Sequence, residues 1–450
     1  MSRTPRGWLS GPVLTAAALS AMAGFAQFGP AAALADISTA FGDPSLEPDR
    51  VTELALPGSV VGLGLAIIRL ASLGSLTLAG FADRAGRRRV LLVSTGLGLV
   101  LTGLSALAGS YWWFVAIFAL GRPFLSATNA VAGVTAAEHV PTRDRAGAIA
   151  VIAAGYGLGT GVTLLVRDLA GDVLGFRGLF ASAALLVLLL PLAARALREP
   201  TVFASARRST PATRWRLGAV PRPLVPRLVL LGALTFGIGF VTGPANTYVF
   251  LFGEQVVGLP LRTLTLAGLS AGPIGLLGLL AGRWAADRLG RRPSCMLGMA
   301  LAGCGAIVLY SGTATAVVVG YLLSLLGQSA YGPPAGAMDA ELFPTRVRAT
   351  VAGWLTVAGV LGASSGLALF GALWEAIGPQ PAALTLFVPI VVLAGAYWLL
   401  PETRDRELPD DVETTASPTS PGTPTSPTSP GSPTSPTSPT SADSAGSATP

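Results

Sequence analysis

The chain has 450 residues, of which 51% are hydrophobic and 12% are charged, and its formal net charge is +7. Soluble domains carry about 25% charged residues, so this composition excludes a soluble enzyme, a disordered protein and a fibrous protein, and it predicts a polytopic membrane protein. All 30 basic residues are arginine and stand mostly in short links between apolar runs, a pattern typical of membrane topology and not of nucleic-acid binding.

Twelve apolar segments follow one another along the chain, and most are long enough to cross a bilayer as helices. They are 11–36, 55–79, 90–109, 112–137, 147–167, 176–197, 227–252, 263–286, 294–312, 315–339, 348–376 and 381–400. The link 198–226 is rich in arginine and proline, and it divides the segments into two bundles of six, residues 1–197 and 227–401. The composition of 402–450 turns to Ser, Thr and Pro, which predicts a disordered cytoplasmic tail.

The distribution of arginine predicts how the segments are oriented. With both termini inside, 24 arginines lie on the cytoplasmic side, four lie outside, Arg167 among them, and Arg69 and Arg122 lie within the membrane. This obeys the positive-inside rule. The alternative for the first segment is a cleaved signal peptide, but its apolar stretch exceeds the usual 7–15 residues. We expect a multi-pass protein of a bacterial-type inner (plasma) membrane with both termini in the cytoplasm.

The two halves of the chain repeat each other. The matching stretches, about 203 residues apart, are Ala137–Ala146 with Ala340–Ala349, Asp83–Arg88 with Asp287–Arg292, and Glu199 with Glu402. Each pair follows equivalent segments, so the repeats share one orientation and are related by an axis along the membrane normal. Such symmetry predicts a binding site between the bundles and transport by alternating access.

The repeated loops resemble the signature motifs of the major facilitator superfamily over residues 8–406. The loop Gly80–Arg89, with its echo after segment 8, resembles the superfamily signature. Glu138–Arg145, Glu341–Arg348 and Pro401–Arg404 resemble the sugar-porter and metabolite-porter branches, although the paired glutamines of sugar porters are missing from segment 7. The resemblance implies an all-α membrane fold with twelve transmembrane helices in two pseudo-symmetric six-helix bundles.

The charged residues of these loops are predicted to gate the transport pathway. Glycine permits the tight turns, and the acidic and basic side chains would tie the bundles together at one face and release it when the protein rocks. The alternative is that the arginines only determine topology. The predicted gating residues are Asp83, Arg84, Gly86, Arg87, Arg88, Glu138, Arg143, Arg145, Asp287, Arg288, Gly290, Arg291, Glu341, Arg346 and Arg348.

Two arginines are predicted near the middle of the membrane. Arg69 and Arg122 each lie ten residues from a segment end, which is roughly 15 Å of helix. An arginine at this depth costs about 2.5–3.5 kcal/mol on insertion scales, so it is a functional candidate by default. No carboxylate is expected at the same depth, and the pair fits an anionic cargo. The alternatives are hydrogen bonds to backbone carbonyls, or an ion pair of Arg69 with Asp36 or Glu53.

Other polar residues are predicted at similar depth. In the family pattern helices 1, 4, 7 and 10 line the pathway, and the candidates on them are Gln27, Ser126, Asn129, Asn246, Gln328 and Tyr331, with Tyr156 on helix 5. Each of them alone is equally compatible with an interhelical hydrogen bond, worth about 0.6 kcal/mol on average. As a set at one depth they predict a substrate site together with Arg69 and Arg122.

The predicted function is secondary transport of a small organic solute, preferably an organic anion, in symport with protons. One alternative is proton-coupled multidrug efflux, because Gly155 and Gly159 resemble a motif of drug antiporters, although close helix packing explains these glycines equally well. The other alternative is a transport-inactive membrane sensor. No nucleophile–base pair, metal cluster or phosphate loop points to an enzyme. The expected partners are a small-molecule substrate, protons and lipid, with no cofactor, metal or nucleic acid, and the expected state is a monomer.

Overall fold

A computed structural model of the chain describes residues 7–42, 55–197 and 220–404. Every regular element in these ranges is a helix. Residues 198–219 of the predicted linker and 405–450 of the predicted tail lie outside the described residues.

Twelve helices are long and apolar enough to cross a membrane, as the sequence predicts, and they are numbered α1 to α12 in chain order. Their bounds are Gly11–Ala32, Gly58–Ala82, Arg87–Ser105, Tyr111–Glu138, Thr142–Gly171, Val173–Ala196, Arg222–Val256, Leu261–Arg288, Arg291–Leu309, Ala314–Glu341, Thr345–Ile377 and Pro379–Leu399. A short helix, Leu34–Phe41, follows α1.

The helices pack as two equivalent sets of six. In the first half α1 packs along α5 and α3 packs along α4, and in the second half α7 packs along α11 and α9 packs along α10. The halves meet through α2 against α11 and through α5 against α8, contacts that the same pseudo-symmetry relates. The predicted fold of two pseudo-symmetric six-helix bundles is confirmed.

Glycines let the inner helices of each half approach closely. A Cβ atom at Gly159 on α5 would lie 2.7 Å from the carbonyl carbon of Ala21 on α1. At Gly362 on α11, 203 residues later in the sequence, a Cβ would lie 2.8 Å from the carbonyl carbon of Phe236 on α7. Because real Cβ atoms do not come this near to backbone, only glycine fits these two contacts. Gly155 and Gly159 on α5 therefore serve close packing against α1.

The regular hydrogen-bond ladder of α2 is interrupted at Ser72 and Leu73, between Gly58–Ala71 and Gly74–Ala85, although both residues keep helical backbone angles. The interruption begins where the Ser72 hydroxyl donates to the carbonyl of Arg69 at 2.6 Å, a local bond that competes with the regular helical ladder. The first part of α2 packs against α11 of the other half and against α4, and the second part packs against α4 and α3 of its own half. The main contact of α2 with the other half is therefore made by its first part.

The two ends of the bundle differ in chemistry. Gly86 between α2 and α3 and Gly290 between α8 and α9 turn the chain with φ angles of 97° and 106°, a backbone conformation that favours glycine. The end that carries these arginine-rich turns is called the loop face below. The other end, where α1, α5 and α7 terminate, is called the opposite face.

Candidate functional site

A cavity of about 140 Å³ lies between the halves. Its polar lining comes from Gln27 on α1, Arg69 on α2 and Arg122 on α4 in the first half, and from Thr242, Asn246 and Thr247 on α7 in the second. Pro30, Leu65, Ile68 and Leu367 provide apolar walls. Four predicted substrate residues, Gln27, Arg69, Arg122 and Asn246, therefore share one cavity.

The two cavity arginines are poorly compensated. The Arg122 side chain is buried and its Nη1 donates to the backbone carbonyl of Gln27 at 3.3 Å. The Nε atoms of Arg69 and Arg122 are buried, and neither has a hydrogen-bond partner among the described residues. Buried guanidinium groups with unbonded N–H donors favour an anion from outside the protein.

No carboxylate belongs to the described lining of the cavity. Asp36, one expected partner for Arg69, is instead bound to Arg167, with distances of 2.8 Å from Nε to Oδ2 and 2.9 Å from Nη2 to Oδ1. Glu53, the other expected partner, lies outside the described residues. The charge of the cavity is therefore set by the two arginines.

The remaining substrate candidates lie outside the described lining. Asn246 donates from Nδ2 to Oε1 of Gln328 at 2.9 Å. Gln328 therefore contacts a cavity residue while lying outside the described lining itself. Asn129 accepts a hydrogen bond from Ser20 at 2.7 Å, which ties α4 to α1. Tyr331 shares a 2.7 Å hydroxyl contact with Tyr397 on α12. Ser126 and Tyr156 are half-buried on α4 and α5.

In the first half, the predicted gating residues connect helices of that half at the loop face. Arg87 pairs with Glu138, and Arg88 donates to the carbonyl of Ala194 at 2.7 Å. Arg84, Arg143 and Arg145 are exposed, and the side chain of Asp83 lies outside the described part.

In the second half, Arg291 is the centre of the corresponding set. It pairs with Asp287 at 3.2 Å and with Glu341 at 3.4 Å, within the second half. Arg288 stacks over Trp284, Arg348 donates to the carbonyl of Phe343, and Arg346 is exposed. In both halves these ion pairs link neighbouring helices of one bundle, and the gating role stays a prediction.

Glu402 joins this loop-face network, although the predicted boundary assigns it to the tail. Its Oε1 accepts from the backbone N–H of Arg291 at 2.8 Å and its Oε2 from that of Arg292 at 3.1 Å. Burial alone would raise the pKa of the carboxyl, but backbone N–H groups of Arg291, Arg404, Arg292 and Thr403 outweigh it, and the pKa is lowered. The carboxylate therefore caps the start of α9 and attaches the end of α12 to it.

At the opposite face, hydrogen bonds connect the two halves. Arg167 on α5 is 3% exposed, binds Asp36 as described above, and donates from Nη2 to Glu254 on α7 at 2.7 Å. Nearby, Gln255 donates to the carbonyl of Ala35 at 3.2 Å. We call Asp36, Arg167 and Glu254 the ionic seam. It closes the contact between the halves on this side.

Sequence reasoning missed the ionic seam. Arg167 was expected outside the membrane, but it lies within the last turns of α5 and is nearly fully buried. Its neighbours come from α7 and the short helix after α1, 87 and 131 residues away. The sequence does contain a signal for this contact. Asp36, Arg167 and Glu254 stand at the ends of segments 1, 5 and 7, which lie on the same side of the membrane in the predicted topology, and their charges are opposite. Thr242 and Thr247 were missed as well, although they flank Asn246 on α7.

The family follows from a match of the chain to a family model. The model described as Major Facilitator Superfamily matches residues 14–293 and 268–430, most of the chain. The chain belongs to this superfamily. This transporter is a multi-pass membrane protein, and the twelve helices and pseudo-symmetric halves described above are the fold of the superfamily.

Three curated relatives are named for the transport of solutes. A protein of Haemophilus influenzae that is named for metabolite transport is 27% identical over 74% of this chain and 85% of its own. A gallate transporter of Pseudomonas putida is 26% identical over 73% and 79%. A cis,cis-muconate transport protein of Acinetobacter baylyi is 27% identical over 68% and 79%.

A solved structure shows the same fold. The inward open conformation of the xylose transporter XylE from E. coli superposes with a TM-score of 0.69 at 17% identity, covering 88% of this chain and 97% of that one. Alternating access, which the parallel repeat predicts, fits this inward open state.

Proposed function

We propose that this secondary transporter moves a small organic anion, in particular a carboxylate, through the cavity between its halves. The single observation that carries the proposal is the pair Arg69 and Arg122 in one cavity whose described lining holds no carboxylate. Two of the relatives carry names of carboxylates, gallate and muconate, which agrees with this chemistry.

The size of the cavity supports a small cargo over a drug-like one. Drug-sized ligands occupy pockets of about 300–1,000 Å³, whereas a cavity of about 150 Å³ is enough for benzene. The cavity here has about 140 Å³, which is close to the single-ring size and well below the drug-sized range. We therefore favour transport of small acids over multidrug efflux.

The first test is a thermal-shift titration of the detergent-purified full-length chain with benzoate and with its neutral amide, benzamide. We expect benzoate to raise the apparent melting temperature, because a ligand of the folded state stabilises it by mass action, and benzamide to have no effect. Arg69→Gln and Arg122→Gln should each weaken benzoate binding by roughly 10- to 100-fold, since a hydrogen bond to a charged group contributes about 1.5–3 kcal/mol.

Arg283→Gln is the matched control for these variants. Arg283 is an exposed arginine near the loop-face end of α8, so its loss changes the net charge by the same amount and should leave benzoate binding unchanged. Equal benzoate binding by wild type and by the Arg69→Gln, Arg122→Gln double variant, or stabilisation by lipophilic cations alone, would show that the cavity is not an anion site.

We further propose that transport is symport with protons into a cell, with the loop face in the cytoplasm of a bacterial-type membrane. The supporting arguments are the positive-inside distribution of the arginines and the electrical work of import. A monoanion entering against a potential of 100 mV costs about 2.3 kcal/mol, and a proton moving with it cancels the charge.

A proteoliposome assay tests this coupling. With an acidic exterior, uptake of radiolabelled benzoate should exceed equilibrium with the outside concentration, and a protonophore should abolish the excess. Because benzoic acid also crosses lipid unaided, liposomes without protein and liposomes with the Arg122→Gln variant are the controls. Equal rates with and without the pH gradient, after this subtraction, would contradict proton symport.

A further inference from the structure

The buried side-chain atoms of the cavity that have no hydrogen-bond partner among the described residues differ in kind between its two sides. The first half contributes donors, because the Nε atoms of Arg69 and Arg122 and the Nε2 atom of Gln27 are buried without a hydrogen-bond partner among the described residues. The second half contributes an acceptor, because Oδ1 of Asn246 is buried and has no partner within the same described part of the chain. A buried polar atom left without a bond costs about 1–3 kcal/mol.

A relay of side chains orients the Asn246 amide. Its Nδ2 donates to Oε1 of Gln328 at 2.9 Å, and Nε2 of Gln328 donates to Oγ of Ser324 at 3.1 Å. Gln328 and Ser324 are on α10, and Ser324 is fully buried. One N–H of the amide nitrogen is engaged by Gln328, whereas Oδ1 has no partner among the described residues, so Oδ1 is the acceptor that Asn246 can offer to a ligand.

We propose that Asn246 is a specificity-determining residue that selects anions carrying a hydrogen-bond donor, such as a hydroxyl group, away from the carboxylate. The inference rests on the proposed function, since the arginines must hold the carboxylate first. With about 140 Å³ of space, the substrate class is a monocyclic hydroxy-aromatic acid or a hydroxy acid of similar size. A second carboxylate in place of the hydroxyl is an acceptor only, so it could not form a hydrogen bond with the Asn246 oxygen.

A series of matched ligands tests this assignment on the wild-type chain, without any variant. Isothermal titration should give 4-hydroxybenzoate or 3-hydroxybenzoate an affinity about tenfold above that of benzoate, because one neutral hydrogen bond contributes about 0.5–1.5 kcal/mol. The methylbenzoates, which match the hydroxybenzoates in size but lack the donor, should show no such gain. A gain for methyl equal to that for hydroxyl would overturn the inference.

The second measurement crosses the same ligands with Asn246→Leu, which keeps the branching at Cγ and removes the amide. The hydroxyl advantage, taken within the variant as the ratio of hydroxybenzoate affinity to benzoate affinity, should fall from about tenfold to less than twofold. Asn129→Leu is the control, because Asn129 is an asparagine that bonds Ser20 and lies outside the described lining. It should keep the full advantage.

The outcomes separate the two proposals. If benzoates bind and depend on Arg122 but the hydroxyl advantage survives Asn246→Leu, the specificity role is wrong and the anion site stands. If no benzoate binds the wild type, the proposed function itself is wrong. If terephthalate, with its second carboxylate, binds better than 4-hydroxybenzoate and loses this lead in Asn246→Leu, the amide presents its nitrogen to the ligand, and the assignment of an acceptor is overturned.

Discussion

Gly159→Ala will destabilise this transporter strongly, although it adds a single methyl group. The new Cβ atom would lie 2.7 Å from the carbonyl carbon of Ala21 and 2.9 Å from the amide nitrogen of Phe25. Both atoms are backbone of α1 and cannot rotate away, so α1 and α5 must separate. Overpacking of this kind costs about 1–3 kcal/mol, which corresponds to a fall of roughly 2–12 °C in melting temperature for a bundle of about 200 residues.

Gly157→Ala is the control on the same helix. Gly157 is exposed, and a Cβ there would have no neighbour within 4 Å, so replacement should be neutral or slightly stabilising. Apparent melting temperatures of both variants, read as the monodisperse fraction after heating in detergent, give the comparison. Equal melting temperatures for the two variants would mean that α1 and α5 are not held by this contact. Gly362→Ala should reproduce the Gly159→Ala effect in the second half.

Arg167→Gln will release the halves from each other at the opposite face. The variant removes the cation that holds Asp36 and Glu254 together, and the remaining carboxylates repel. Breaking a fully buried pair costs about 3–5 kcal/mol. Since the side chains of Asp36 and Glu254 are 37% and 29% exposed, solvent screening reduces the effect to about 1–3 kcal/mol, a shift of roughly 5- to 150-fold toward a state open on this side.

Spin-label distances measure this opening directly. Gly109→Cys and Ala314→Cys place exposed labels on the opposite face, just before α4 in the first half and at the start of α10 in the second, in a Cys304→Ala background, since Cys295 is buried. Arg167→Gln should add a population at longer distance. Arg177→Gln, whose bond to the carbonyl of Ala106 at 2.6 Å stays within the first half, should not. Identical distance distributions for wild type and Arg167→Gln would show that the ionic seam does not hold the two halves together at the opposite face.

Much of the fold could be predicted from the sequence because a bilayer leaves few choices. Backbone groups in hydrocarbon must bond internally, so each apolar run of sufficient length becomes a helix. The duplicated motifs then relate the two sets of six. The interruption of α2 could not be foreseen, because no proline marks it and a serine with a free hydroxyl occurs in many intact helices.

The sequence predicted the residues of the candidate site best where a charged residue lies far from both ends of an apolar segment. Arg69 and Arg122 stand out because a cation far from any segment end is costly, and they share the cavity with Gln27 and Asn246. Arg167 lies near a segment end, where hydropathy cannot tell a solvated arginine from a buried one. Its role depends on neighbours from distant parts of the chain, which a single sequence does not reveal.

The interruption of α2 follows the part of this helix that makes its main contact with the other half. Before the interruption, a Cβ at Gly62 would lie 2.7 Å from the carbonyl oxygen of Leu367 in the second half. After the interruption, Gly74 lies against Pro123 on α4 of the first half. Arg69 occupies the last turn before the interruption, and its carbonyl accepts the Ser72 hydroxyl there. In the proposed function, an anion bound by Arg69 would therefore act directly beside the part of α2 that contacts the second half.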